Sequence, residues 1–102
     1  MRKYERYAKA IKELWFRNVF AAESTKFRIA LLIREEDWRP LDAPWWRDKQ
    51  VYVIGADVDG NFLLRHPSGA VLYWDHKAQA SQNLAKSVDE FASQITEGDY
   101  AA

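Results

Sequence analysis

The stretch VYVIGADVDGNFLLRHPSGAVLYWDHK, from Val51 to Lys77, decides the fold. Val51 to Ile54 is rich in β-branched and aromatic side chains, and Gly55 to Gly60 supplies turn chemistry. Phe62 to Leu64 resumes the apolar run. His66-Pro67-Ser68-Gly69 is a second turn with Pro early and Gly late, and Val71 to Trp74 is a third strand. Two turns joining three short strands predict an antiparallel meander.

The same residues invite a competing reading as a metal site. Asp57, Asp59 and Asn61 alternate as in the first half of a calcium-binding loop. The remainder does not fit. Gly60 comes one place early, Phe62 stands where the backbone must turn sharply, and Ser68 replaces the bidentate Glu. His66 and His76, the only histidines, lack the carboxylate spacing of a helix-borne metal site. Asp75-His76 at a strand end has acid–base potential, but no Ser, Cys or further His completes a nucleophilic set around it. The glycines at 55, 60, 69 and 98 form no phosphate-binding loop. The expectation is a protein with no catalytic, metal or cofactor-binding residues.

Outward from the meander, both flanks read as helical. Tyr4, Tyr7, Ala8, Ile11, Leu14, Trp15 and Val19 recur at three- and four-residue spacing, which predicts an amphipathic helix over residues 2–20 with its aromatic stripe in the core. Glu5–Lys9 and Glu13–Arg17 are spaced to support its exposed face. A polar break at Ala21 to Lys26 precedes KFRIALLIR (Lys26 to Arg34), which reads as a buried strand or the start of a second helix, its β-branched residues and short length favouring the strand. Glu35 to Lys49 carries Pro40 and Pro44 and predicts an irregular connection, whose Trp38, Trp45 and Trp46 either cap the core edge or stay exposed as binding anchors. After the meander, Ser87 and Glu90 have capping-box spacing. Val88, Phe91, Ala92 and Ile95 share a face, so a helix over Val88 to Glu97 stopped by Gly98 is expected.

A chain of 102 residues accommodates one domain, residues 1–102, and its 48% apolar composition is that of a packed protein. The absence of cysteine removes disulfides and thiolate chemistry and fits a cytoplasmic setting. No apolar run approaches a membrane span, so no membrane association is expected. Net charge is zero, which argues against direct nucleic-acid binding. The charge is nevertheless polarised. Residues 1–20 carry six cations against Glu5 and Glu13, whereas from Asp57 onward seven acids face Arg65, Lys77 and Lys86. A bipolar chain steers charged partners even without net charge.

The order of features from Val51 to Ile95 resembles the C-terminal half of the SUKH superfamily, which contains bacterial immunity proteins and a yeast regulator of cell-wall synthesis. The resemblance is carried by Ile54-Gly55-Ala56-Asp57 through Gly60, then Tyr73-Trp74-Asp75-His76, and last Leu84, Ser87, Val88, Asp89, Glu90 and Phe91. The Leu-Pro lead-in to an early helix and the Gly-rich loop usual in the family are missing between Phe16 and Asp37, as in a shortened or divergent member. The resemblance implies an α+β domain, mostly antiparallel sheet flanked by an N-terminal and a C-terminal helix. It also implies a non-enzymatic role: binding and neutralising a cognate toxin domain, often a nuclease.

A nuclease cleft is basic because it must attract phosphate, so acids presented by an inhibitor speed encounter and aromatic anchors add affinity. The candidate acids are Asp57, Asp59 and Asp75, and the candidate anchors are Trp45, Trp46 and Trp74. The alternative is a generic interaction or scaffold domain that uses the tryptophan loop or the basic N-terminal helix.

Overall fold

The computed structural model describes residues 4–22, 25–41 and 50–97. Its centre is the expected meander. Strands β4 (Tyr52–Asp57), β5 (Phe62–Arg65) and β6 (Val71–Asp75) pair antiparallel in sequence order. The meander then continues into β7 (Ala80–Ala85), a strand too polar to stand out in the sequence. On its other side β4 pairs with β2 (Thr25–Leu32), β2 with β1 (Val19–Ala22), and β1 with β8 (Ile95–Thr96). A two-residue strand, β3 (Arg39–Pro40), adds a rung beside the start of β4. The sheet order is β7-β6-β5-β4-β2-β1-β8.

Register sorts the side chains onto two faces, because residues directly opposite each other in an antiparallel pair point the same way. Leu63, Tyr73, Val71, Ala85, Ile29 and Leu32 face the core. They close over Tyr7 and Ala10 of α1 (Glu5–Lys12) and over Val88, Phe91 and Ala92 of α2 (Val88–Ser93). The sheet is strongly curled around this cluster. Phe27 of β2 stacks on Tyr73 of β6, and Gln82 of β7 donates to Thr25 Oγ1 at 2.9 Å. The architecture is therefore α+β, with two helices in the concave face of an antiparallel sheet. Its radius of gyration of 13.0 Å is what a compact chain of about 100 residues has.

Two features lock α1 and β4 in place. The Tyr7 hydroxyl lies 2.6 Å from the Ile33 carbonyl and 2.8 Å from that of Ile54, and burial pushes its ionisation well above the usual phenol range. A bulge between Val53 and Gly55 brings Gly55 against β2, where a Cβ would sit 2.6 Å from the Leu31 carbonyl oxygen. Only glycine allows that approach.

Several expectations need correction. The turn expected from Gly55 to Gly60 begins only after Asp57, because Gly55 to Asp57 pair with β2, and the break expected from Ala21 to Lys26 is largely paired strand, with Ala21 opposite Lys26 and Ala22 opposite Thr25. The N-terminal helix ends at Lys12 and not near residue 20. Beyond it the backbone turns, and Val19 and Phe20 become a strand that pairs with β2 on one side and β8 on the other. Tertiary pairing overrides the helical period there, and Trp15, expected in the core stripe, is 75% exposed. The C-terminal helix stops at Ser93 instead of Glu97, because Ile95 is fully buried as the partner of Phe20 in β8. Its expected stop, Gly98, lies outside the described residues. Within the expected irregular connection, Glu35–Asp37 forms a 3-10 turn followed by β3, and Trp38 packs on Tyr4 and Tyr7 while donating to the Ile33 carbonyl at 2.8 Å. Among the described residues no helix is long and apolar enough to cross a membrane.

Candidate functional site

The β4–β5 turn is built on Asp57. Its backbone N–H donates to the Asn61 carbonyl, Gly60 adopts φ +87°, and the Asp57 carboxylate folds back over the turn. Oδ1 accepts the N–H groups of Asp59 and Asn61 at 2.9 and 2.8 Å. Oδ2 accepts from Asn61 Nδ2 at 3.1 Å and from the Tyr73 hydroxyl. Burial opposes ionisation of this carboxyl, but the donors from Tyr73, Asn61 and Asp59 outweigh it and hold Asp57 below the usual carboxylate range. Burial, together with the same contact, pushes the Tyr73 phenol up.

Asn61, buried like Asp57, uses every bonding position of its amide. Nδ2 donates to Asp57 and, at 2.7 Å, to the Tyr73 oxygen. Oδ1 accepts the backbone N–H of His76 at 3.0 Å and lies 2.6 Å from His76 Nδ1. Asp57 Oδ2 is an acceptor and the His76 amide is a donor, so the amide has one possible orientation. An oxygen then faces His76 Nδ1, and that nitrogen must carry a proton. Nε2 is left as the acceptor of the neutral ring, and among the described residues it has no partner.

The other face of the sheet, away from the helices, carries a row of apolar side chains. Register aligns Leu31, Ala56, Phe62 and Trp74 across β2, β4, β5 and β6, with Val53, Leu64 and Leu72 in the next row. Leu31 is 47% exposed and Val58, in the adjoining turn, 56%. Phe62 and Trp74 are half-buried. Together with His76 and Gln79 they line a cleft of about 310 Å³. Gln79 closes the β6–β7 turn at φ 52°, the only positive φ among the described non-glycine residues.

The six residues singled out from sequence separate here. Trp74 lies at the cleft. Asp59 is exposed at the turn beside it, and Asp75 is half-buried, its Oδ1 accepting the N–H groups of Lys77 and Ala78. Asp57 is 3% exposed and engaged by four donors, so it is an internal brace and presents no charge to a partner. Trp45 and Trp46 lie outside the described residues. Sequence reasoning weighed Asn61 only as part of a calcium loop and Phe62 only as that loop's misfit and a strand residue, passed over Gln79, and left His76 without a role. The register of the meander would have placed Phe62 beside Trp74, but nothing in the sequence signals the strained Gln79. No cluster of His, Asp and Glu able to hold a metal occurs among the described residues.

Comparison of the chain with protein-family models, with curated proteins and with solved structures gives no match.

Proposed function

We propose that this chain is a protein-binding domain, SUKH-like in its meander and C-terminal helix, that neutralises a cognate toxin domain in the cytoplasm and catalyses no reaction. The observation that carries the proposal is the apolar row Leu31–Ala56–Phe62–Trp74 on the outer sheet face, flanked by the exposed Asp59 and the half-buried Asp75. An apolar centre with an acidic rim fits a basic partner, as the cleft of a nucleic-acid-cleaving toxin must be.

The test is one-to-one binding, by calorimetry, to the polymorphic-toxin domain encoded beside this chain in its genome. Binding should weaken with salt, fall about 30-fold or more in Trp74→Ala and fall modestly in Asp59→Asn. A neighbouring frame encoding no toxin, or a complex indifferent to both substitutions, sinks the proposal.

A second reading, docking through the N-terminal helix, is favoured by Trp15. Its ring is 75% exposed, just past a helix carrying exposed Arg6, Lys9 and Lys12. A partner that binds Trp74→Ala at full strength and is lost in Trp15→Ala would establish it.

A further inference from the structure

α1 and α2 meet along a cleft of about 220 Å³, lined by Arg6, Lys9 and Ala10 of α1, Arg17 of the turn beyond it, and Ala92 and Ser93 of α2. Arg6 and Lys9 are exposed, and neither side chain has a hydrogen-bond or ion-pair partner among the described residues. Glu5, the acid spaced to support Lys9, forms no ion pair with it. Arg17 is the fixed member of the set. Its guanidinium gives one N–H to Glu13 at 2.8 Å and another to the Ile95 carbonyl, which leaves most of its five donors uncommitted among the described residues.

The ordinary reason for cations at this place is the row of carbonyls at the end of α2. Those carbonyls are already served. The Ser93 hydroxyl donates to the Glu90 carbonyl at 2.7 Å, the Gln94 N–H donates to that of Phe91 at 3.1 Å, and Arg17 takes that of Ile95. Arg6 lies in the first turn of α1, where the helix dipole disfavours a cation, and Lys9, three residues on, is its like-charged neighbour. Two local conflicts on one wall of a cleft point to a guest that supplies the missing negative charge.

Charge and size select the guest. Glu13 offsets Arg17, so the described groups at the cleft keep an excess of two positive charges. A phosphate monoester at neutral pH carries about −1.5 to −2, and its three oxygens accept from guanidinium and ammonium donors together. A carboxylate carries only half the charge. The small, buried Ala10 and Ala92 keep the floor of the cleft open to a compact group.

We infer that the cleft between α1 and α2 is a binding site for a phosphate-type dianion, held by Arg6, Lys9 and Arg17. The helices occupy the concave side of the sheet, so the site is separate from the outer apolar row and does not rest on the function proposed above.

Titration of the full ¹⁵N-labelled chain with inorganic phosphate, against sodium chloride at matched ionic strength, tests the site. Saturable amide shifts are expected at Arg6, Lys9, Arg17, Ala92 and Ser93, with half-saturation on the order of millimolar. Arg6→Gln and Lys9→Gln change exposed helix positions and should keep the folded spectrum. Each should weaken binding about three- to fivefold, and the double variant should abolish saturation. Lys77→Gln, an exposed cation on the β6–β7 turn, should leave binding unchanged. Absence of saturable shifts, shifts that chloride reproduces, full binding by the double variant, or equal damage from Lys77→Gln overturns the inference.

Methyl phosphate and phosphatidylcholine vesicles with phosphatidate, each tried on the parent and on the double variant, separate a soluble monoester from a lipid headgroup. The probe that binds the parent and not the double variant identifies the source, and failure of both overturns the site.

Discussion

Phe27 and Tyr73 stack with ring centroids 4.5 Å apart, although β4 and β5 stand between their strands in the sheet. The contact closes the curl of the sheet and delivers the Tyr73 hydroxyl to Asp57 and Asn61. Tyr73→Phe keeps the stacked ring and deletes only the hydroxyl. The variant should lose about 2 kcal/mol of unfolding free energy in urea melts, the scale of a hydrogen bond to a charged group. Its midpoint should fall with an unchanged denaturant slope.

The depressed ionisation of Asp57 makes stability fall with acid. A carboxyl held lower in the folded state than in the unfolded one contributes fully at pH values above its unfolded range. That contribution is lost as pH falls through the folded value, so the decline should begin below about pH 5. Asp57→Asn should remove this part of the pH dependence and cost about 2–3 kcal/mol at neutral pH, since its new amide donors would face those of Asn61 and Tyr73. Asp59→Asn, on the exposed side of the same turn, should stay within about 0.5 kcal/mol of the parent. Denaturant melts across a pH series check all three.

Gly55→Ala should be among the most damaging small substitutions. The added methyl meets the backbone oxygen of Leu31, with Leu32 and Leu63 side chains at 3.1 and 3.2 Å, so relief requires β2 and β4 to separate. A loss of about 1–3 kcal/mol is expected in thermal or denaturant unfolding.

Gln79→Gly should stabilise the protein. A left-handed conformation costs a side-chain-bearing residue about 1–2 kcal/mol, and the added freedom of glycine returns part of that. A net gain of up to about 1 kcal/mol in denaturant melts is the expected outcome.

Local signals carried the centre of the fold. The alternation from Val51 to Trp74 and the turns at Gly60 and Gly69 specify the three-stranded meander, and Ser87 caps α2 by accepting from Glu90 N–H at 3.1 Å. What stayed hidden is non-local. β7 is ordered by pairing with β6 and not by its own apolar content. Val19 and Phe20 follow a helical period that their strand partners override, and Ile95 leaves the helix for the same reason. At the candidate site, the strand-end position of Trp74 and the exposed turn position of Asp59 were legible. Asp57 was misread because turn preference alone does not tell which way a carboxylate folds. The pairing of Asn61 with His76 spans 15 residues and exists only once β4, β5 and β6 are in register.

The pairing of β8 with β1 also governs how the protein is made. Phe20 is completely buried and pairs with Ile95, and the Arg17 guanidinium reaches the Ile95 carbonyl across 78 positions of chain. The ribosome therefore releases α1 and β1 long before their last neighbours exist. Until Ile95 and Thr96 emerge, a nascent chain leaves one flank of β1 as an unpaired strand edge.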